Sequence, residues 1–479
     1  MGLRTVEQYK ESLRDGRGVF IAGEKVDDVT RHPILKVCVD TAAIDYEMAE
    51  TPEHRDLAVV THPDSGEPMS RYYYTPRNSE DLLKRHELMV TATRLGNGVI
   101  PFTKDIGADA MNAVSITAKV MGKKEYMERA EKFRAYLQKN DLSMAGAMTD
   151  VKGNRRLRPS DKMQAHPDYY VRVVEKNDEG IIVRGAKAHI TAAAYCNELL
   201  VMPCRNMTEE DADYAVSFAV PANAKGVTHV CHLIRASQGP HDFPVEITPR
   251  GHTESLIIFD DVFVPWKRVF MCGEWEYSMH LVYNFAYLHR HTAASYRIPI
   301  SEMLLGVAQA IAEYNGVENV SHVRQQITDL AIYVNTLKSL ARASCLDYVV
   351  HEGIPIPNPV ITNIAKYHFA SNYHNCVKII QDISGGLLIT APSYKDYENP
   401  ETRGHIDKYL GGVSGVPAEH RLRMLQLIRT LLSLELEVVA VHAEGSLMAQ
   451  RLMIYAESLP DIEKYKKWAK ILAGIKKAS

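Results

Sequence analysis

The sequence has no C-x2-C pair, and its seven cysteines (Cys38, Cys196, Cys204, Cys231, Cys272, Cys345, Cys376) are scattered. That excludes a zinc knuckle and gives no disulfide framework, so the thiols are expected as small buried residues in a reducing compartment. No apolar run reaches the ~18–20 residues that a membrane span requires. Charge of one sign is not in excess: 56 Lys and Arg face 59 Asp and Glu, a formal net charge of −3. This leaves no basic field for nucleic acid and no polybasic membrane anchor. Neither G-x-G-x-x-G opening a strand–helix unit nor the G-x4-G-K phosphate loop occurs. The opening Met1-Gly2-Leu3-Arg4-Thr5-Val6-Glu7 turns charged at once without a secretory apolar stretch, so a cytoplasmic protein is expected.

What is present suits a large soluble globular protein. The chain has 479 residues, 46% hydrophobic and 24% charged, enough for two or three packed units. Three blocks differ in hydrophobic period. Residues 1–145 read as mainly helical after an irregular start, with a capped entry at Ser79-Glu80-Asp81 and helical spacing over Asp109–Val120 and Lys124–Leu137. Residues 146–275 change to strands. Tyr169–Val174 and Gly180–Gly185 form a hairpin around Lys176-Asn177-Asp178-Glu179. Leu199–Met202, Ala215–Val220, His229–Ile234 and Ser255–Phe259 add further strands, which suggests a small antiparallel barrel or sandwich. Residues 276–479 return to helix at Leu304–Tyr314, Val323–His351, Ile361–Asp382 and Pro417–Ser458, expected to pack as a bundle. The segments from Gly353 to Pro359 and from Tyr394 to Gly415 are expected as connecting loops. The expected class is α+β, and its order suggests flavin binding without a dinucleotide fold.

Four strings carry a family resemblance: Ala145-Gly-Ala-Met-Thr-Asp-Val-Lys-Gly-Asn-Arg155, Val183–Thr191, Phe259–Trp266 and Phe270–Glu274. They resemble 4-hydroxybutyryl-CoA dehydratase/vinylacetyl-CoA isomerase, which belongs with the two-component 4-hydroxyphenylacetate 3-hydroxylases. The resemblance implies an acyl-CoA dehydrogenase-like fold, non-covalent FAD, a homotetramer, and a site between the β domain and the C-terminal helices. It makes Met148, Thr149, Asp150 and Thr191 flavin contacts and turns Arg155 toward the pyrophosphate. Gly385 and Gly386, in Asp382-Ile-Ser-Gly-Gly386, resemble the glycine turn where a neighbouring subunit's backbone approaches the cofactor.

The same resemblance locates a departure. The family's dehydratase holds a four-iron cluster by a C-x3-C pair, a histidine and a third cysteine. Here the pair aligns with Pro101 and Asp105, just before Asp109-Ala-Met-Asn-Ala113. His289 survives, but the family's tyrosine, cysteine and lysine become Ala293, Tyr296 and Arg297. One histidine cannot replace three thiolates, so no iron–sulfur cluster or other metal is expected. Glu254 aligns with an active-site glutamate, and His289 is a second acid/base or carbonyl-orienting group. Tyr296 is a phenolic donor, and Arg297 is a permanently charged clamp for carboxylate or phosphate. These residues fit a cluster-free FAD enzyme on acyl-CoA thioesters that isomerises or introduces a double bond. An FADH2-dependent aromatic monooxygenase served by a flavin reductase is the alternative. It lacks its usual phenol-binding groups, because Val99, Thr103 and Gly146 stand in their positions. A catalytically silent paralogue is the third reading.

Overall fold

The computed structural model describes residues 2–234, 239, 242–247 and 249–475, with backbone alone at 434–437. The N-terminal region is helical as expected, but the expected Asp109–Val120 helix begins at Asp105. Short helices at Val6–Glu11, Leu35–Ala42, Ile44–Glu50 and Pro52–Ala58 occupy the start that was expected to be irregular. Asn78 caps the Ser79–Leu95 helix by accepting from the Asp81 amide at 3.0 Å, with Glu80 and Asp81 in its first turn. The Asp105–Met121 helix is buried at every residue from Asp105 to Val114. Its small residues allow that depth. A Cβ on Gly107 would lie 2.4 Å from the Met144 carbonyl oxygen, so only glycine lets the helix meet the strand behind it. This approach carries Asp105 and Asp109, one helical turn apart, into the interior.

The central β region contains two sheets. One has six strands in the order Glu24–Val26, Gly18–Ile21, Val227–Ile234, His252–Pro265, Gly180–Thr191, Arg172–Lys176. The other has four, in the order Val269–Cys272, Val216–Pro221, Glu198–Val201, Met144–Ala147. Phe218 of the smaller sheet meets Phe259 of the larger edge-on at 5.9 Å between ring centres. The expected hairpin is present, with Arg172–Lys176 antiparallel to Gly180–Thr191. The expectation of a purely antiparallel β domain needs correction, because Gly18–Ile21 runs parallel to Val227–Ile234 and Met144–Ala147 parallel to Glu198–Val201. Two strands from before residue 145, Gly18–Ile21 and Glu24–Val26, thus complete the larger sheet.

The C-terminal region is dominated by the Ser278–Asn315, Ser321–Leu346 and Pro359–Ser384 helices. The first spans 38 residues, and every residue from Arg290 to Pro299 is buried. Other expectations are corrected here. The pattern from Pro417 to Ser458 is not one helix but three, Ala418–Leu431, Leu434–His442 and Leu447–Leu472. Glu444 and Gly445 break the run with φ of 61° and 95°. Val349–His351 leaves its helix to pair with Ile354–Ile356, in what was expected as loop. The Tyr394–Gly415 connection carries the helices Tyr394–Glu398 and Pro400–Tyr409. No described helix is long and apolar enough to cross a membrane.

Candidate functional site

Strand register sets the first part of the site. Thr191 ends its strand directly opposite Glu254. Its hydroxyl donates to Glu254 Oε1 at 2.7 Å, and His252 Nε2 lies 3.5 Å from the same oxygen. Glu254 Oε2 is buried and has no hydrogen-bond partner. Phe102, at φ 56°, stacks edge-on against His252 at 4.9 Å and against Tyr296 at 5.6 Å. That ring joins the β sheet to the long helix.

The second part lies between helices. Asp109 Oδ1 pairs with the Arg85 guanidinium at 2.8 Å, and Oδ2 accepts from the Thr292 hydroxyl at 2.7 Å. His289 Nδ1 lies 3.4 Å from that same Oδ2. Burial pushes Asp109 up, but Arg85 and His289 outweigh it and hold the carboxyl below its ordinary range. Asp105, one turn away, has a buried Oδ1 with no hydrogen-bond partner. Burial, with the Asp109 charge adding to it, pushes Asp105 up to about 6. Behind it, Asp45 accepts from the Tyr72 hydroxyl at 3.1 Å, and burial and Asp105 push it up to about 7. Two of the three buried carboxyls are therefore poised to hold a proton near neutrality.

The third part centres on Glu444. Its carboxylate pairs with Arg297 Nη1 at 2.7 Å and accepts a short bond from the Tyr296 hydroxyl. Lys366 Nζ stands 3.6 Å away, and Arg290 Nε donates to the Glu444 carbonyl at 3.1 Å. Burial would raise the Glu444 carboxyl, yet Arg297, Lys366 and His289 hold it down at about 2. Burial and Arg297 lower Lys366 to about 7, with Glu444 opposing.

The flavin-type strings fall into two kinds. Asp150 is buried and paired with Lys187 at 2.8 Å, while Lys187 also donates to the Met148 and Met202 carbonyls at 2.9 and 2.7 Å. Asp150 therefore braces the segment from within. Met148 and Thr149 are half-buried on its rim, and the Thr149 carbonyl takes the Ala188 amide at 2.8 Å. Arg155 is exposed, five residues beyond the isolated strand bridge at Asp150. Gly385, at φ 68°, and Gly386 end the Pro359–Ser384 helix, and no atom lies within 4 Å of where either Cβ would stand.

Of the residues named from sequence, Glu254, Thr191, His289, Tyr296 and Arg297 are drawn together around Phe102, Asp109 and Glu444. Gly385 and Gly386 belong to an open surface turn. The reading missed Arg85, Asp109, Lys366 and Glu444 as site members. Asp109 lay inside a quoted family string, but Glu444 carried no signal because its stretch continued the helical spacing.

The fit to a flavin and to an iron–sulfur cluster differs. A planar polar ring system needs hydroxyls, amides and a carboxyl at the rim of an apolar wall. Thr191, the half-buried Met148–Thr149 segment and Phe102 are of the kinds such a surface needs. The positions matched to the cluster thiolates hold Pro101, Asp105 and Tyr296, and the phenol is engaged by Glu444. Arg297 and Lys366 add cationic charge there, so this donor set does not fit a four-iron cluster.

Sequence models of the 4-hydroxyphenylacetate 3-hydroxylase family match residues 5–271 for its N-terminal part and 278–474 for its C-terminal part. The 4-hydroxybutyryl-CoA dehydratase/vinylacetyl-CoA-Δ-isomerase of Clostridium aminobutyricum is 32% identical over 99% of this chain and 100% of its own. An oxygen-tolerant archaeal 4-hydroxybutyryl-CoA dehydratase from N. maritimus superposes with TM-score 0.89 at 31% identity, covering 99% of this chain and 96% of that one. The oxygenase component of 4-hydroxyphenylacetate 3-monooxygenase, solved with FAD, gives TM-score 0.87 at 25% identity over 98% and 99% of the two chains. Matched along almost its whole length by both halves of one family, the chain belongs to the 4-hydroxyphenylacetate 3-hydroxylase family.

Proposed function

We propose that the protein is an FAD-dependent enzyme of acyl-CoA thioesters that isomerises a β,γ double bond to α,β or introduces one by dehydrogenation. In this reading it works without an iron–sulfur cluster. The observation that carries it is the partnerless buried Oε2 of Glu254, with His289 held at Nδ1 by Asp109, while the three matched thiolate positions hold Pro101, Asp105 and Tyr296.

Met148, Thr149 and Thr191 would hold the flavin ring, and Arg155 the pyrophosphate. Gly385 and Gly386 offer the open turn that a neighbouring subunit's cofactor would approach. When bound, the flavin supplies a two-electron or one-electron acceptor beside the acyl chain. The chain's own groups handle the protons. Thr191 occupies Oε1 of Glu254, so Oε2 is the atom left to take the α- or γ-proton. Asp109 faces Nδ1 of His289, which leaves Nε2 to polarise the thioester carbonyl or return the proton. Tyr296 and Arg297 close the far side of the site.

A homotetramer completes this reading. The Leu447–Leu472 helix buries only Gln450 and Met453 and exposes Met448, Leu452, Tyr455 and Trp468 by about 60% each. A stripe of that kind is the sort of face that a second copy covers.

The test is conversion of vinylacetyl-CoA to crotonyl-CoA by the FAD-loaded protein. Glu254→Gln is expected to lower kcat by about 10²–10⁴-fold with little change in flavin content. Activity that survives the substitution contradicts the role of Glu254. Oxygen-dependent hydroxylation of a phenol, fed by a flavin reductase, would instead establish the monooxygenase alternative.

A further inference from the structure

The Glu444 cluster has a charge imbalance. Arg290, Arg297 and Lys366 are buried around one side-chain carboxylate. Lys366 is fully buried, and its Nζ reaches only Glu444 Oε2, at 3.6 Å, an oxygen that Arg297 already holds at 2.7 Å. Buried cations in such a ratio are stable only while an anion is present. The anion here arrives on a loop, not on a helix. Glu444 sits at φ 61° beside Gly445 at φ 95°, and both His442 and Gly445 are exposed. A backbone rotation at those residues would carry the carboxylate to water. The loop cannot leave alone, because its departure would strand the two buried guanidinium groups and drive the proton off Lys366. Another carboxylate taking its place would conserve the charge.

We propose that Arg297 and Lys366 form a subsite for a carboxylate at the far end of the acyl chain, and that Glu444 fills it as an internal surrogate until that ligand enters. This rests on the acyl-CoA reading and narrows it to acyl groups that carry a terminal carboxylate. Arg297 presents its guanidinium to the incoming oxygens, Tyr296 gives its hydroxyl, and Lys366 supplies the second charge.

The experiment is calorimetric titration of the FAD-loaded full chain with glutaryl-CoA, valeryl-CoA and free glutarate. Glutaryl-CoA is expected to bind about tenfold more tightly than valeryl-CoA. In Glu444→Gln the surrogate charge is gone, and glutaryl-CoA is expected to gain about another tenfold while valeryl-CoA stays unchanged. Equal affinity for the two thioesters in both proteins overturns the proposal and leaves Glu444 a structural ion pair. Binding of glutarate without either thioester keeps the carboxylate subsite and refutes the acyl-CoA reading instead. No binding of any of the three overturns the subsite. Should Glu444→Gln fail to fold, Lys366→Gln replaces it. Loss of the glutaryl preference with valeryl-CoA affinity retained supports the subsite, and an unchanged preference overturns it.

Discussion

Asp105 has one buried oxygen unpartnered and is held up at about 6 against an ordinary value of 3.8. The folded chain thus binds this proton more tightly than the unfolded chain does. Stability is fully present below the unfolded value and is lost as pH rises through the folded one. Asp105→Asn removes that cost. The variant is expected to be more stable than wild type by about 1–3 kcal/mol at about pH 8, and equal to it where Asp105 is protonated in both states. Urea denaturation at the two pH values checks this, and a difference of the same size at both would refute it. None of this was legible beforehand. The alignment named Asp105 only as a missing cysteine, because its neighbours Asp45, Arg85 and His289 are distant in sequence.

Helices and strands bring those residues together through one close approach. The Asp105–Met121 helix lies deep because Gly107 meets the Met144 carbonyl with no side chain between them. Gly107→Ala must push helix and strand apart, and is expected to cost about 1–3 kcal/mol by overpacking. The displaced helix would also take Asp105 and Asp109 out of place, so activity is expected to fall further than stability explains. Full stability in Gly107→Ala would show that the contact gives way without strain. At this scale much was readable from sequence. The hairpin at 176–180 followed from its turn residues, and Ser79–Leu95 from its cap. The break at Glu444 was hidden, since apolar residues continue at helical spacing on both sides and only Gly445 interrupts them. The helices within 394–415 did have signals, a Ser393–Asp396 capping box and Pro400 at a first turn. Those signals were outweighed by the polar composition around them.

For the whole molecule, family strings spread from Ala145 to Glu274 pointed to the family and its mixed helix and sheet fold. What they left open was the reaction, because it turns on a few substituted positions. The exposed stripe on the Leu447–Leu472 helix gives the assembly a test. Trp468 is 63% exposed, and Trp468→Glu would bury a charge if a second copy covers it. The variant is expected to run smaller than wild type in sedimentation, with its helical content kept. An unchanged oligomer would place the interface elsewhere.

The central claim is a flavoprotein whose cluster positions have been given to Asp105, Tyr296 and the Arg297–Glu444 pair. The most direct test is an anaerobic absorbance spectrum of the purified protein, with iron determined on the same sample. The account predicts flavin bands and iron well below one atom per chain. Flavin together with about four irons per chain would contradict it and return the protein to cluster-assisted dehydration.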